Sequence, residues 1–179
     1  MKFYRPKNLL EMHRIKRLYK QSFDKSERKP FYIITNMVKS GKTDLWYFEK
    51  NGKFAGMCAT INGSDTILLD YLAVAENKRG IGIGTEMISD ILDYYKGYGV
   101  FLEIEEVAPT YINNDERIRR REFYLRSGFK PMNTFVKLFG VNMELLGIGC
   151  QLNFDEYRDF YLTNYSKFAY DHIENLTRP

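Results

Sequence analysis

The chain contains 179 residues, of which 44% are hydrophobic and 28% are charged, and its net charge is +4. This length and composition predict one soluble globular domain over residues 1–179, and the weak positive charge does not by itself favour nucleic acid as a partner. No apolar run reaches the ~18 residues that a membrane span needs, and no secretory signal is recognised, so we expect a cytoplasmic protein without a membrane partner.

The first part of the chain predicts two helices followed by three strands. Asn8 is a suitable N-cap for an amphipathic helix, in which Met12, Ile15, Tyr19 and Phe23 recur at helical spacing. The further elements predicted here are a helix over 31–39 and strands over 44–50, 53–61 and 66–74, with the hairpin turn Asn51–Gly52 between the first two strands.

The second part of the chain continues from the strand over 66–74. Glycines, a helix to about residue 95 and a strand over 100–107 follow it, and these elements form a βαβ unit with parallel strands. The remaining predicted elements are a helix over 115–127, closing strands within 129–152 and a last helix over 155–168. The predicted fold class is therefore α+β, or α/β-like, with a mixed sheet.

The segment RGIGIGT, residues 79–85, separates the strand from the helix of this βαβ unit. The first amides of a helix have no intrahelical partner, and the helix dipole favours anions at the same end. Glycines at Gly80, Gly82 and Gly84 would let a ligand approach the main chain closely. We therefore predict that this segment binds a pyrophosphate, and that Arg79 adds a positive charge beside it.

Two other phosphate-binding patterns do not fit the sequence. The dinucleotide pattern GxGxxG lacks its third glycine, and SGKT at 40–43 follows a helix and lacks the first glycine of a Walker A loop. A third pattern, R/Q-x-x-G-x-G/A after a strand, is matched by Arg79, Gly82 and Gly84.

Two stretches of this sequence resemble the GNAT superfamily, the acetyl-CoA-dependent N-acetyltransferases. YLAVAENKRGIGIGTEMI resembles motif A of that family, and REFYLRSGFK resembles motif B, in which a tyrosine precedes a short helix end and Gly-Phe. The two motifs cover about residues 66–130. The resemblance implies the acyl-CoA N-acyltransferase fold, a mixed and mostly antiparallel central sheet flanked by helices, with one parallel βαβ pair splayed at the acetyl-CoA site.

The resemblance also implies that acetyl-CoA is the co-substrate, and we predict no metal. The pyrophosphate would lie on the amides of the glycine loop, and the pantetheine would pair with the end of the preceding strand. An amide near Leu72 would polarise the thioester carbonyl. The predicted coenzyme-binding residues are Leu72, Ala73, Val74, Arg79, Gly80, Ile81, Gly82, Ile83, Gly84 and Thr85.

Acetyl transfer to an amine needs a base for the amine and an acid for the departing sulfur. Tyr124 matches the tyrosine of motif B and is the predicted acid. In FLEIEEV, strand alternation predicts that Leu102 and Ile104 face the core, while Glu103 and Glu105 face away from it, towards the cleft. Glu103 matches a base found on a similar strand of the family, and Glu105 is the second candidate.

Alternatives stay open for several of the charged residues. The acidic residues could serve only to attract a cationic amine, and Asp70 is a third candidate base. The basic run RIRRR at 117–121 is either a solvated surface or a contact to coenzyme phosphate or to an acidic substrate. Because Arg117 and Arg120 stand where motif B often carries Asn and Ala, no asparagine contact to the coenzyme is predicted.

The cysteines and histidines form no motif. Cys58 and Cys150 are predicted to be small buried apolar residues, and His13 and His172 to be surface residues. The resemblance implies direct transfer in a ternary complex, since neither cysteine lies in either motif. A covalent route through one of them stays open.

Three functions compete. The leading one is an N-acetyltransferase that moves the acetyl group of acetyl-CoA to a primary amine of a small molecule or protein, and the carboxylates favour a cationic acceptor. The alternative is a non-catalytic module that binds or senses acyl-CoA. A nucleic-acid binder that uses the arginine helix is disfavoured by the weak net charge and the lack of a motif. The oligomeric state, monomer or homodimer, stays open.

Overall fold

The structure is a computed structural model, and it describes residues 1–25 and 28–177. The chain divides into two compact units. The first comprises residues 1–62 and 69–96, and the second comprises residues 63–68 and the chain from Gly97 onward. A single domain over residues 1–179 therefore remains a prediction.

The first unit contains a four-stranded sheet and three α-helices. Its elements are β1 (Lys2–Tyr4), α1 (Leu9–Ser22), α2 (Phe31–Lys39), β2 (Thr43–Lys50), β3 (Lys53–Asn62), β4 (Thr66–Val74, from Leu69 in this unit), a 3₁₀ turn at Glu76–Lys78, and α3 (Ile83–Tyr94). The strand order is β1-β2-β3-β4, and β2 is antiparallel to both β1 and β3.

Local sequence signals account for two boundaries in this unit. The Asn8 side chain accepts a hydrogen bond from the Glu11 amide at 2.9 Å, which caps α1 as predicted. Asn51 and Gly52 have φ angles of 53° and 71°, and they join β2 to β3 in a tight hairpin. Asn-Gly is the preferred pair for a two-residue turn with two positive φ angles, so the hairpin prediction is confirmed.

The core of the first unit forms where α1 and α2 pack against β2, β3 and β4. Its members are apolar or aromatic side chains from all five elements, namely Ile15, Leu18, Tyr19, Ile34, Leu45, Tyr47, Met57, Ala59, Tyr71 and Ala73. Alternate residues of β2 point to the other face, where Trp46 and Phe48 contact the ring of Phe3, and Trp46 contacts Tyr94 of α3. Buried side chains on both faces thus hold β4 and α3, the elements that flank the glycine loop.

The first strand segment of the second unit consists of the first three residues of β4. Its further elements are β5 (Gly99–Glu105), α4 (Asn114–Arg126), β6 (Lys130–Leu138), β7 (Val141–Ile148), α5 (Phe154–Asn164), α6 (Lys167–Tyr170) and β8 (Ile173–Asn175). The strand order is β4-β5-β7-β6-β8. The pairing of β4 with β5 is parallel over three residue pairs, Thr66↔Gly99 to Leu68↔Phe101, and the other pairs of this unit are antiparallel. The predicted fold class is confirmed, including the one parallel βαβ pair.

Strand β5 is buried on both faces, and this corrects the expectation that only Leu102 and Ile104 face a core. Phe101 is fully buried beneath Phe160 of α5, with ring centroids 4.9 Å apart. Glu105 is only 7% exposed. Strand alternation identifies which residues share a face, but it does not reveal that helices cover both faces.

The C-terminal prediction differs from the structure in two respects. The single helix predicted over 155–168 is broken at Tyr165, where the backbone leaves the helical region, and Ser166 caps a separate short helix, α6. Strand β8 was not predicted, and its three residues pair with β6.

Candidate active site

The glycine loop lies in the first unit, between the 3₁₀ turn after β4 and helix α3. Gly80 and Gly82 have φ angles of 78° and 83°, and Gly82 is the N-cap of α3. A side chain is strained in this left-handed conformation, which explains the choice of glycine at both positions. Apart from each glycine and its two chain neighbours, none of the residues that the structure describes has an atom within 4 Å of the place where a Cβ would stand. The main chain therefore borders open space here.

The start of α3 presents amides to that open space. The amide of Glu86 donates to the carbonyl of Gly82 at 3.1 Å, and the helical amides that precede Glu86 cannot reach a carbonyl of the same helix. Ile83 is only 2% exposed and anchors the helix start in the core. Lys50 forms an ion pair with Glu86, which offsets the one acidic charge in the first turn of α3. The site is thus suited to an anion.

The side chain of Arg79 ties the loop to β4. Its Nε donates to the carbonyl of Val74 at 3.2 Å, and its Nη2 donates to Ser22 Oγ at 3.4 Å. Leu72 and Val74 are half-buried, whereas Ala73 between them is buried. One face of β4 is therefore more accessible than the other at this end of the strand. The predicted coenzyme-binding residues of 72–74 and 79–85 therefore all belong to the first unit and lie on consecutive elements.

Asp70, the third candidate base, is engaged in an ion pair. Both of its carboxylate oxygens lie 2.7 Å from Nζ of Lys29, and the two side chains are only 10% and 15% exposed. The backbone of Lys29 is also held, since its amide donates to the Tyr71 hydroxyl and its carbonyl accepts from the Tyr19 hydroxyl. This ion pair holds Lys29, which precedes α2, against β4.

In the second unit, Glu103 lies under α5. The hydroxyls of Tyr157 and Tyr161 both donate to its Oε1, each at 2.7 Å. The two tyrosines are four residues apart, so they project from the same side of the helix. Glu103 itself is partly exposed, whereas Tyr157 and Tyr161 are buried.

Glu105, the second candidate base, is held by two arginines of α4. Its Oε1 lies 2.7 Å from Nη2 of Arg117, and its Oε2 accepts from Nη1 of Arg120 at 3.1 Å. Arg117 is itself only 9% exposed, and it also donates to the carbonyl of Glu106 and to Asn113. Its guanidinium lies 3.9 Å from the ring centroid of Tyr111. This is a closed ionic cluster whose hydrogen bonds compensate burial of the charges.

Neither interpretation of RIRRR describes Arg117 and Arg121. Arg117 lies in the cluster just described, and Arg121 forms a bidentate pair with Glu144 of β7, at 2.7 and 2.9 Å. The hydrogen bond from Arg121 to the Glu144 carboxylate raises the pKa of the Arg121 guanidinium above its usual range. The run is therefore largely an internal charge network that attaches α4 to the strands, and Arg119 and Arg120 are its exposed members.

Tyr124, the predicted acid, is half-buried near the end of α4. Its ring contacts those of Phe123 and Phe129, with centroids 5.1 and 5.8 Å away. Its carbonyl accepts from the amides of Ser127 and Phe129 in the turn that ends the helix at Gly128. Motif B therefore fixes the tyrosine at a rigid helix end.

The two thiols are unreactive at neutral pH. Cys58 is fully buried in β3, and burial raises the pKa of its thiol well above the usual value. Cys150 is half-buried in the wall of a cavity of about 650 Å³ in the second unit, and burial raises its pKa to about 11. Both thiols are therefore protonated at neutral pH, and a thiol is a poor nucleophile compared with a thiolate.

Sequence reasoning missed three residues of this arrangement, Tyr157, Tyr161 and Glu144. The spacing of the two tyrosines shows that they share a helix face, but nothing local indicates that this face meets Glu103, more than fifty residues earlier. Among the residues that the structure describes, no group of three His, Cys, Asp or Glu side chains could hold a metal ion. Within the same ranges, none of the helices has the length and apolarity needed to cross a membrane.

Comparison with known structures identifies similar folds. The fold is similar to that of a Bacteroides thetaiotaomicron protein assigned to the GNAT acetyltransferases, with a TM-score of 0.78 at 15% identity over 93% of this chain and 100% of that chain. It is also similar to spermidine N-acetyltransferase from Vibrio cholerae in complex with CoA and spermine, with a TM-score of 0.64 at 13% identity over 82% and 94% of the two chains. A third similar structure is Arabidopsis thaliana NAA60 in complex with a bisubstrate analogue. Its TM-score is 0.59 at 18% identity, over 82% of this chain and 96% of that chain.

Sequence comparison identifies the family itself. No curated protein matches the sequence. A family model described as the acetyltransferase (GNAT) domain matches residues 41–131, which is just over half of the chain and includes the whole glycine loop. The chain therefore belongs to the GNAT acetyltransferases.

Proposed function

We propose that this enzyme transfers the acetyl group of acetyl-CoA to a primary amine, on a small molecule or a protein, by direct attack in a ternary complex. The observation that carries the proposal is the loop at 79–85, where two left-handed glycines and the start of α3 border open space. The structure of the Vibrio cholerae relative contains CoA and spermine, which supports CoA as the coenzyme and a cationic amine as the acceptor class.

The loop would bind the pyrophosphate of the coenzyme through the main chain of residues 79–85. The accessible side of β4 would bind the pantetheine near Leu72, Ala73 and Val74, and an amide near Leu72 would polarise the thioester carbonyl. Arg79 already donates to the Val74 carbonyl, but a carbonyl oxygen has two lone pairs and can accept a second bond.

The chemistry requires one group to accept the proton of the amine and another to protonate the thiolate that leaves. We assign the first role to Glu103 and the second to Tyr124. Glu105 is the second candidate base, and its carboxylate is already paired with Arg117 and Arg120. In this step the amine nitrogen bonds the acetyl carbon, the carbon–sulfur bond breaks, and CoA leaves as the thiol.

Direct attack is favoured over a cysteine-linked intermediate. Cys58 is fully buried and Cys150 is half-buried, and the raised pKa of each thiol keeps it protonated at neutral pH. No acetylated cysteine would therefore accumulate during turnover. We propose further that the enzyme acts in the cytoplasm, as a monomer or a homodimer, without nucleic acid as a partner.

A thiol-release assay tests the proposed function. The purified chain is mixed with acetyl-CoA and a panel of amines that contains diamines, polyamines, lysine peptides, neutral aromatic amines and peptides with free N-termini. We expect CoA release with at least one primary amine and the greatest kcat/KM for a cationic one. Mass spectrometry must find the acetyl group on nitrogen, because CoA release without an acetylated amine would be thioester hydrolysis and would overturn the proposal.

The pH dependence of kcat/KM separates the two candidate bases. Glu103→Gln should abolish the acidic limb of the profile, whereas Glu105→Gln should keep that limb and lower thermal stability, because it removes half of an ionic cluster. If the limb is instead lost only in Glu105→Gln, the base is Glu105.

A further inference from the structure

Helix α5 makes two hydrogen bonds to Glu103, and both are to the same oxygen atom. Tyr157 and Tyr161 each place a hydroxyl 2.7 Å from the same oxygen, Oε1. Hydrogen bonds to an ionised acceptor are among the strongest in proteins, and two of them restrict the rotation of the carboxylate. This arrangement orients Glu103 from a helix that belongs to neither sequence motif of the family.

Both tyrosines are rigidly held. Tyr157 is 0% exposed and Tyr161 is 2% exposed, and their rings contact each other with centroids 5.2 Å apart. The ring of Tyr157 also contacts Phe101, which precedes Glu103 by two residues on the same face of β5. At the start of α5, Asn153 and Glu156 form a capping box, which fixes the helix one turn from Tyr157. The two hydroxyls are therefore positioned before any ligand binds.

Charged groups also lie near Glu103 on its own strand. On its own strand the neighbouring acid is Glu105, whose charge is offset by Arg117 and Arg120 of α4. Across the sheet, Glu103 is opposite Leu145 of β7, which is fully buried. Donors to a carboxylate favour its ionised form, and α5 supplies two of them to Glu103.

We propose that Tyr157 and Tyr161 are positioning residues that orient the Glu103 carboxylate and keep it ionised for acceptance of a proton from the amine. This proposal rests on the function proposed above, in which Glu103 is the base. The two tyrosines would fix the orientation of the Glu103 carboxylate. They would also keep the carboxylate ionised at the lower end of the working pH range.

The test is the pH profile of kcat/KM for the full-length variants Tyr157→Phe, Tyr161→Phe and the double variant, with the best amine from the thiol-release panel. Each single change removes one donor and retains the ring. The acidic limb should move to higher pH by about one unit in each single variant and further in the double variant. Tyr170→Phe, which deletes a hydroxyl on α6, is the matched control and should leave the limb in place.

Two further measurements distinguish positioning from packing. Thermal unfolding and CoA binding show whether each variant is folded, and an unmoved limb in a folded variant would overturn the proposal. In the Glu103→Gln background, Tyr157→Phe should have no further effect on the profile, and a shift there would also overturn it. If the wild-type protein acetylates no amine, the proposed function fails first. If it does so and only the tyrosine variants behave like wild type, the positioning role alone is wrong.

Discussion

The glycine loop at 79–85 and the charged strand β5 represent opposite ways of arranging polar groups. In the loop, Gly80 and Gly82 expose the main chain, and nothing stands where their side chains would be. On β5, Glu105 is nearly buried and is held by Arg117 and Arg120. The loop has polar groups oriented towards open space, whereas the strand has charges that are already paired.

This difference shows which polar residues can be assigned to ligand binding. A main-chain donor at the start of a helix can bind an anion without breaking any internal contact. A carboxylate inside an ionic cluster must first lose its partners, and a buried charge without a partner is strongly unfavourable. Arg117, Arg121 and Glu144 therefore contribute to the attachment of α4. Glu103, which accepts hydrogen bonds from two tyrosine hydroxyls, is our candidate for chemistry.

The largest expected effect is at the loop. Gly82→Val should abolish binding of CoA in a calorimetric titration, because valine is strained at a φ of 83° and its methyl groups would enter the space that the pyrophosphate needs. Gly140→Val is the matched control, since Gly140 has a φ of 84° and equally open surroundings in the turn between β6 and β7. Both variants should lose similar stability, and only Gly82→Val should lose CoA. Tight binding by Gly82→Val would contradict the close approach of ligand to main chain.

The next effect concerns the paired charges of the second unit. Arg117→Met should lower the free energy of unfolding by about 3–5 kcal/mol, because it leaves Glu105 buried with one arginine fewer. Arg119→Met, two positions away in the same basic run and exposed, should leave the urea unfolding curve unchanged. Equal losses in the two variants would mean that the cluster does not stabilise the fold more than an exposed arginine does.

Tyr124→Phe should lower kcat by about 100-fold while the dissociation constant of acetyl-CoA changes little, because the variant loses only the proton that the leaving thiolate needs. Steady-state rates and a CoA titration measure the two quantities. A rapid-quench experiment should show that the chemical step itself has slowed, since slow product release could mask the change. A chemical step at the wild-type rate would remove Tyr124 from the acid role.

The smallest expected effect concerns Cys150, whose pKa is about 11. At pH 8 a thiol with that pKa has about one hundredth of the thiolate of an ordinary cysteine, so iodoacetamide should modify Cys150 about 100-fold more slowly in the folded chain than in urea. The rate should rise with pH, because deprotonation increases as the pH approaches 11. Rapid modification at neutral pH would show an activated thiol and would reopen the covalent route.

The sequence predicted features that depend on a few neighbouring residues. Asn8 capped its helix, Asn51–Gly52 formed its hairpin, and the loop from Arg79 to Thr85 joined a strand to a helix start. Each of these follows from backbone conformation within a few residues.

Features that depend on distant partners were not predictable in this way. The pairing of Glu144 with Arg121 and the contacts of Glu103 with Tyr157 and Tyr161 join residues 23 to 58 positions apart. Strand β8 was missed because three residues are too few for a periodic pattern, and it is defined by pairing with β6. The roles of Glu103, Glu105 and Tyr124 remain predictions, because these roles depend on the acceptor as well as on the fold.

The left-handed backbone of Gly80 and Gly82 has a consequence for kinetics. Glycine loses more conformational freedom than any other residue when it is fixed, and here that loss has already occurred during folding. In the proposed function, the loop would bind the coenzyme without rearranging. The association rate constant should therefore be limited by diffusion and orientation. Differences in affinity between acetyl-CoA and free CoA would then arise mainly from different dissociation rate constants.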